Sequence, residues 1–166
     1  MLVAARAFPL RAFSSPLVRR ALTSTTLRTT SPSAIFTPVR NMSDLTPVFS
    51  KDAAPPAGPY SHAIKTPSAI YCSGQIPCDA AGNLVEGPIG VKTAACISNL
   101  KAVLTAAGSS IEKVVKVNIF LADMSLFADM NEEYAKWFTH KPARSCVAVK
   151  QLPKGVDVEI ECIALP

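Results

Sequence analysis

The spacing of hydrophobic and polar residues changes several times along the last two thirds of the chain. Two short stretches, residues 60–65 and 69–76, are rich in β-favouring residues and flank Thr66-Pro67-Ser68, which predicts a hairpin. The preceding residues 45–59 are rich in Pro and Ala and are expected to be extended. From Val91 to Ala107 apolar residues recur at three- and four-residue steps, which predicts a helix that ends at Gly108.

The pattern then alternates strictly. Lys116, Asn118 and Phe120 separate four apolar residues that are expected to face the core: Val115, Val117, Ile119 and Leu121. Asp123 and Ser125 are candidate caps for a second helix through Phe138, with an apolar stripe formed by Leu126, Phe127, Met130, Tyr134, Trp137 and Phe138. Residues 145–150 and 156–164 are predicted as two final strands around a turn at 152–155.

This order, ββ-α-β-α-ββ, predicts an α+β sandwich in which two helices pack on one face of a single sheet. The last strand has two contrasting faces. Val156, Val158, Ile160, Cys162 and Ala164 would pack against the helices. Asp157, Glu159 and Glu161 would face solvent, a partner or a pocket.

Charge divides the chain in two. Residues 1–43 contain six arginines, twelve Ser or Thr and no Lys, Asp or Glu, which is typical of a mitochondrial transit peptide; a retained N-terminal tail is the alternative. Met42 offers a second start that would give a cytosolic form. Residues 44–166 are predicted to form the working domain; they carry eleven basic and twelve acidic residues, a net charge of −1, so nucleic-acid binding is not expected.

No run of eighteen apolar residues occurs, so no membrane span is expected. The five cysteines have no paired spacing, which favours reduced thiols. Cys72, Cys96 and Cys162 are interpreted as core residues, and Cys78, near a turn, as exposed. The chain has two histidines and no Cys-x-x-Cys, so neither a metal site nor a cofactor is expected.

Arg144 is the only arginine after residue 43, where every other basic residue is a lysine. A guanidinium offers two parallel donors that match a carboxylate, which a lysine ammonium does not. Arg144 is therefore a candidate carboxylate-binding residue. The alternative is an ordinary ion pair with an exposed Asp or Glu.

Several motifs in order resemble the RidA/YjgF family of imine deaminases. They are Gly58-Pro59-Tyr60-Ser61, residues 70–76, Asn131-Glu132-Glu133-Tyr134, Pro142-Ala143-Arg144-Ser145-Cys146-Val147, Leu152-Pro153-Lys154-Gly155 and Val158-Glu159-Ile160-Glu161. The resemblance implies a chorismate-mutase-like fold and a homotrimer with sites between subunits. It also implies hydrolysis of the 2-imino and 2-enamino acids that pyridoxal-phosphate-dependent dehydratases release, without a cofactor.

The resemblance also implies roles for individual residues. Arg144 would bind the substrate carboxylate, and Glu159 would handle the attacking water, with Glu161 as its rival. Tyr60, Ser73, Gly74, Asn131 and Cys146 would contact the substrate. Cys146 is interpreted as pocket lining, not as a nucleophile, because no histidine has the context of a paired base.

Two other functions stay open. Some relatives have been described as endoribonucleases or translation inhibitors, and a trimer that binds ligands or acts as a chaperone without catalysis is also possible. If the protein is a mitochondrial deaminase, most simply in the matrix, the resemblance implies that it protects pyridoxal-phosphate enzymes from reactive enamines such as 2-aminoacrylate. These enzymes include those of isoleucine and other branched-chain amino-acid biosynthesis.

Overall fold

The fold was analysed in a computed structural model that describes residues 44–166. The predicted transit peptide and the alternative start at Met42 lie outside the described residues. Six strands form one sheet: β1 Thr46–Val48, β2 Ala63–Lys65, β3 Ile70–Gln75, β4 Val114–Leu121, β5 Ala143–Ala148 and β6 Val158–Ala164. The two helices are α1 Ile89–Ala106 and α2 Phe127–Trp137.

The sheet order is β1-β2-β3-β6-β4-β5. Strands β4 and β5 are parallel, and every other pair is antiparallel. Both helices pack with the buried face of the sheet around one apolar core. The predicted α+β sandwich and the predicted hairpin of β2 and β3 are therefore confirmed.

Helix α1 ends as the sequence predicts. Gly108 has a left-handed φ of 78°, which glycine adopts without a Cβ penalty. Its N–H donates to Thr105 O at 3.0 Å, and Ser109 N donates to Leu104 O at 2.8 Å. This pair of bonds is a Schellman motif, and it satisfies carbonyls that a helix end otherwise leaves unpaired.

Helix α2 follows a single 3₁₀ turn at Met124–Leu126. The side chain of Asp123 accepts a hydrogen bond from Ser125 N at 2.7 Å, so the predicted cap is present and acts on this turn. Met130, Tyr134 and Phe138 of the predicted stripe are buried. These residues are spaced four apart, so they lie on one side of the helix and cover the sheet.

Residues 46–48 of the extended lead-in form strand β1 beside β2, a strand that the sequence pattern did not predict. The last two strands flank the predicted turn, and β4 lies between them in the sheet. Two predictions about burial were wrong. In α1, Val91 was expected on the apolar face and is exposed, and Ile97 is buried instead. Cys78 is buried, because it forms a bridge with Leu84 and its carbonyl accepts a hydrogen bond from Asn99. Cys72, Cys96 and Cys162 are core residues, as predicted.

Strand β4 also begins differently from the predicted alternation. Val114 pairs with Ala164, and Lys116 pairs with the adjacent Ile163, so Val115 is an extra residue in a bulge. As a result Val114 is 2% exposed, and Val115, which was expected in the core, is 43% exposed. A bulge depends on the partner strand, so the alternation of β4 alone does not reveal it.

The bulge gives a matched pair of substitutions. We expect Val114→Ala to lower the free energy of unfolding by about 2 kcal/mol, because it removes buried methyl groups and leaves a cavity. Val115→Ala should change it by less than about 0.5 kcal/mol, since the side chain is largely in solvent. Urea unfolding of both variants checks this, and equal costs would contradict the assigned bulge.

Candidate functional site

Arg144 lies on β5 opposite Val117 of β4, so its side chain is on the helix-covered face of the sheet. Its Nη1 donates to Asn131 Oδ1 at 2.7 Å. Its Cζ lies 4.6 Å from the ring centroid of Tyr134 and 5.7 Å from that of Phe127. The guanidinium is thus held by one hydrogen bond and two aromatic rings of α2.

No ion pair within residues 44–166 involves Arg144. The alternative of an ordinary ion pair therefore has no support from within one protomer. A cavity of about 280 Å³ opens beside Arg144 and is lined by Asn131, Tyr134, Phe138, Lys141 and Pro142, among others. The cavity is of a size for a small molecule. An arginine without a carboxylate partner beside such a cavity can bind an anion there.

Tyr134 was predicted as a core residue and not as part of the site. It is 7% exposed, and its hydroxyl has no hydrogen-bond partner among the described residues. Burial raises the pKa of this hydroxyl, and the nearby Arg144 lowers it by a smaller amount. The ring therefore stays neutral and stacks beneath the guanidinium. Its position three residues after Asn131, on the same helix face, is the signal that could have revealed this role.

Cys146 shares a face of β5 with Arg144, since the two are two residues apart. Burial raises the pKa of the Cys146 thiol, and the Arg144 guanidinium lowers it by less. The thiol is therefore protonated near neutral pH. This agrees with the interpretation that Cys146 is not a nucleophile, since the thiolate is the reactive form. Cys146 does not itself line the cavity beside Arg144, so its role as pocket lining stays a prediction.

Glu159 lies on the opposite face of the sheet. It pairs with Phe120, whose side chain points away from the helices. Burial raises the pKa of Glu159, and the neighbouring Glu161 raises it further. No described residue donates a hydrogen bond to Glu159, whereas Glu161 accepts one from Asn118 Nδ2 at 2.8 Å. Of the two carboxylates, Glu159 is the one left available for chemistry.

Gly74 lies directly against this carboxylate. A Cβ at position 74 would overlap Oε1 of Glu159 and lie 2.8 Å from its Cδ. The sequence suggested that the missing Cβ of Gly74 lets a substrate or a neighbouring backbone approach. In the protomer, the group that approaches is the Glu159 side chain. The adjacent Ser73 donates its hydroxyl to Ser61 O at 2.8 Å, which leaves the oxygen lone pairs as acceptors only.

Tyr60 and Gly74 line a second cavity, of about 250 Å³. The Tyr60 hydroxyl accepts a hydrogen bond from Ala57 N at 3.1 Å, and its own proton remains free to be donated. The ring is 43% exposed. The candidate residues of one protomer thus fall into two separate groups, here called half-sites. Arg144, Asn131, Tyr134 and Cys146 form one group, and Tyr60, Ser73, Gly74 and Glu159 form the other.

The described residues contain no group of three or more His, Cys, Asp or Glu side chains that could hold a metal ion. Within the same part of the chain, neither helix is long and apolar enough to cross a bilayer.

Comparison with known proteins gives consistent results. The family profile described as Endoribonuclease L-PSP matches residues 51–166. The chain is 56% identical over 121 residues to Protein HMF1 of Saccharomyces cerevisiae, which covers 72% of the chain and 94% of that protein. It is 54% identical over 131 residues to the mitochondrial protein mmf1 of Schizosaccharomyces pombe, covering 76% and 80%. The crystal structure of E. coli TdcF with bound serine superimposes with a TM-score of 0.70 at 33% identity, covering 73% and 98%.

The contact between Gly74 and Glu159 can be tested by a double-mutant cycle. Gly74→Ala should destabilise the parent by about 0.5–1 kcal/mol, because the half-buried Glu159 side chain must leave its present rotamer. In a Glu159→Ala background, where the clashing atoms are missing, the same substitution should cost close to nothing. Urea unfolding of the four proteins gives the coupling energy, and additive effects would show that the two residues do not meet.

Proposed function

The chain belongs to the Endoribonuclease L-PSP family, the RidA/YjgF family indicated by its motifs, and from this premise we propose that it is an imine deaminase. Its substrates are 2-imino and 2-enamino acids such as 2-iminopropanoate and 2-iminobutanoate, and its products are 2-oxo acids and ammonia. The observation that carries the proposal is the guanidinium of Arg144, which is held by Asn131 and Tyr134 beside a small cavity and has no carboxylate partner in the described residues.

The substrate carboxylate is the missing partner of Arg144 in this proposal. One edge of the guanidinium is committed to Asn131, and the remaining donors can form a two-pronged pair with a carboxylate. The stack on Tyr134 fixes the plane of the guanidinium before the substrate arrives. A bound serine, which carries a carboxylate, is present in the E. coli TdcF structure, and this supports a ligand of the same class.

The two half-sites require a second protomer. Arg144 and Glu159 lie on opposite faces of one sheet, so a substrate of a few atoms cannot touch both within one chain. In the proposed homotrimer, Arg144 of one subunit faces the Tyr60, Ser73, Gly74 and Glu159 half-site of a neighbour. Exposed apolar side chains on the sheet face that the helices leave open, including Tyr71 and Val147, provide surface for such an interface.

The reaction follows from these groups. Water adds through its oxygen to the carbon of the protonated C=N bond, and the Glu159 carboxylate accepts the proton that the water loses. The nitrogen of the resulting carbinolamine takes that proton from Glu159 and the C–N bond breaks. As ammonia leaves, the hydroxyl group gives its proton to the Glu159 carboxylate and becomes the carbonyl of the 2-oxo acid. The raised pKa of Glu159 suits both proton transfers. Tyr60, through its free hydroxyl proton, orients water or nitrogen. Ser73, next to Gly74, and Cys146, on the same face of β5 as Arg144, would contact the substrate from the two sides.

The biological setting follows from the leader and the relatives. The basic, acid-free residues 1–43 and the similarity to a protein named mitochondrial support a mitochondrial location, with the matrix as the working compartment and Met42 as the start of a cytosolic form. There the enzyme would remove enamines released by pyridoxal-phosphate-dependent dehydratases before they damage other pyridoxal-phosphate enzymes, including those of isoleucine biosynthesis. The partners in this role are small molecules and further copies of the chain.

The family description also names an endoribonuclease. The net charge of −1 over residues 44–166 gives little attraction for a phosphate backbone, so we rank RNA cleavage below imine hydrolysis. A non-catalytic ligand-binding or chaperone-like trimer would leave the raised pKa of Glu159 without a use.

Replacing Arg144 tests the carboxylate-binding role. A threonine dehydratase generates 2-aminocrotonate, and loss of the imine is followed with and without the protein. Arg144→Ala should lower kcat/KM about 100-fold, because two charge-assisted hydrogen bonds to the carboxylate are lost. Lys141→Ala is the matched control: it removes a cation from the same cavity and should change kcat/KM less than about threefold.

Light scattering should show that both variants keep the assembly of the parent. Full activity of Arg144→Ala would overturn the carboxylate-binding role. Cleavage of RNA by the parent without turnover of the imine would favour the endoribonuclease function, and binding of 2-oxo acids without turnover would favour the non-catalytic trimer.

The pH profile tests Glu159. As a base it must be ionised, so activity should fall on acidification through an apparent pKa above the usual range of a glutamate. Glu159→Gln should remove most activity. Glu161→Gln should move the acidic limb to lower pH, because the negative charge that raises the pKa of Glu159 is gone. An acidic limb that stays in place in Glu161→Gln would contradict this assignment.

A further inference from the structure

We infer that His62 and Asn99 are positioning residues that hold segment 50–57, here called the strap, as one wall of the cavity containing Tyr60 and Gly74. The strap includes Ala54-Pro55-Pro56-Ala57, and all four of these residues line the cavity. The effect on catalysis rests on the proposed function, while the structural role of the two side chains does not.

His62 binds the strap at two points. The imidazole is 2% exposed. Its Nδ1 accepts a hydrogen bond from Ser50 N at 3.0 Å, and its Nε2 lies 2.9 Å from Ala54 O. A backbone N–H only donates and a carbonyl only accepts, so the ring must be neutral with its proton on Nε2. His62 thus joins both ends of a five-residue stretch.

Asn99 binds the strap from helix α1. It is 5% exposed. Its Oδ1 accepts a hydrogen bond from Ala54 N at 3.2 Å, and its Nδ2 donates to Cys78 O at 2.8 Å. Both backbone polar groups of Ala54 are therefore satisfied by buried side chains, although Ala54 belongs to no helix or strand. Because losing a partner would leave a half-buried backbone group unpaired, these two bonds hold the residue in place.

Two prolines transmit this fixed position to the site. The pyrrolidine rings of Pro55 and Pro56 lock their φ angles, so the backbone from Ala54 to Ala57 behaves as a stiff connection. At its far end Ala57 N donates to the Tyr60 hydroxyl at 3.1 Å. The positions of the cavity wall and of Tyr60 therefore depend on two side chains that do not belong to the proposed catalytic groups.

The kinetic effect follows from the populations of the strap. Without His62 or Asn99, the strap forms the cavity wall for only part of the time. The apparent affinity for substrate falls in proportion to that fraction. Bound substrate restores the positioned state, so turnover of the complex is preserved. Loss of either residue should raise KM and leave kcat nearly unchanged.

The test compares His62→Leu with His62→Gln. Glutamine keeps an acceptor and a donor in place of the two ring nitrogens, and leucine keeps only bulk. With the 2-aminocrotonate assay, we expect His62→Leu and Asn99→Ala to raise KM about tenfold with kcat within about twofold of the parent, and His62→Gln to lie close to the parent. A loss confined to kcat, or a His62→Gln variant as impaired as His62→Leu, would overturn the inference.

Two measurements work without turnover. Nitrogen NMR of the parent should show His62 protonated on Nε2 and unprotonated on Nδ1. Amide hydrogen exchange at Ala54 and Ala57 should be at least about tenfold faster in His62→Leu and Asn99→Ala, and near the parent rate in His62→Gln. The opposite tautomer, or unchanged exchange in both loss variants, would overturn the inference. If the parent does not hydrolyse the imine, the proposed function fails, and these two measurements alone decide the role of the strap.

Discussion

The placement of the Arg144 guanidinium against helix α2 is the interaction on which the proposed chemistry depends. A two-pronged pair with a carboxylate requires a guanidinium whose plane is fixed before the ligand binds, because a freely rotating arginine would lose entropy on binding. The parallel register of β5 beside β4 puts Arg144 on the helix side, opposite Val117. Asn131 and Tyr134, one helical turn apart, then supply a hydrogen bond to its edge and a ring beneath its face. A lysine in this position would have neither a planar face for the ring nor a fork for the carboxylate.

The sheet that fixes Arg144 also separates it from the proposed base. Side chains alternate between the two faces along β4 and β6. Because Val117 and Ile160 are buried on the helix side, Phe120 and Glu159 lie on the other side. No side-chain rotation carries Glu159 through the packed sheet. Catalysis by both groups therefore requires contact between protomers, and the same surface must serve as interface and as active site. In the proposed mechanism, the half-buried Glu159 carboxylate, which no described residue pairs with, is the group that this surface would supply as a base.

Local patterns predicted much of the fold. The alternation of β6, the helical steps of α1 and α2, and Gly108 as a helix end all depend on near neighbours in sequence. What local patterns did not reveal are features that a distant strand decides, such as the bulge at Val115 and the position of β4 between β5 and β6. The same limit applies to the site. Motifs identified Arg144 and Glu159 as candidates, but the ring of Tyr134 beneath Arg144, the contact of Gly74 with Glu159 and the bonds of His62 to the strap arise only from tertiary packing.

The electrostatics of the two half-sites favour a carboxylate over a thiol as the group that moves protons. Burial raises the pKa of both Cys146 and Glu159, but the consequences are opposite. A thiol with a raised pKa is less often in its reactive form, even with Arg144 on the same face. A glutamate with a raised pKa is a stronger base in its ionised form, so it takes a proton from an attacking water more readily than an ordinary surface carboxylate does. An imine beside a carboxylate is already electrophilic, so it needs an oriented water and a proton carrier, and not a covalent nucleophile.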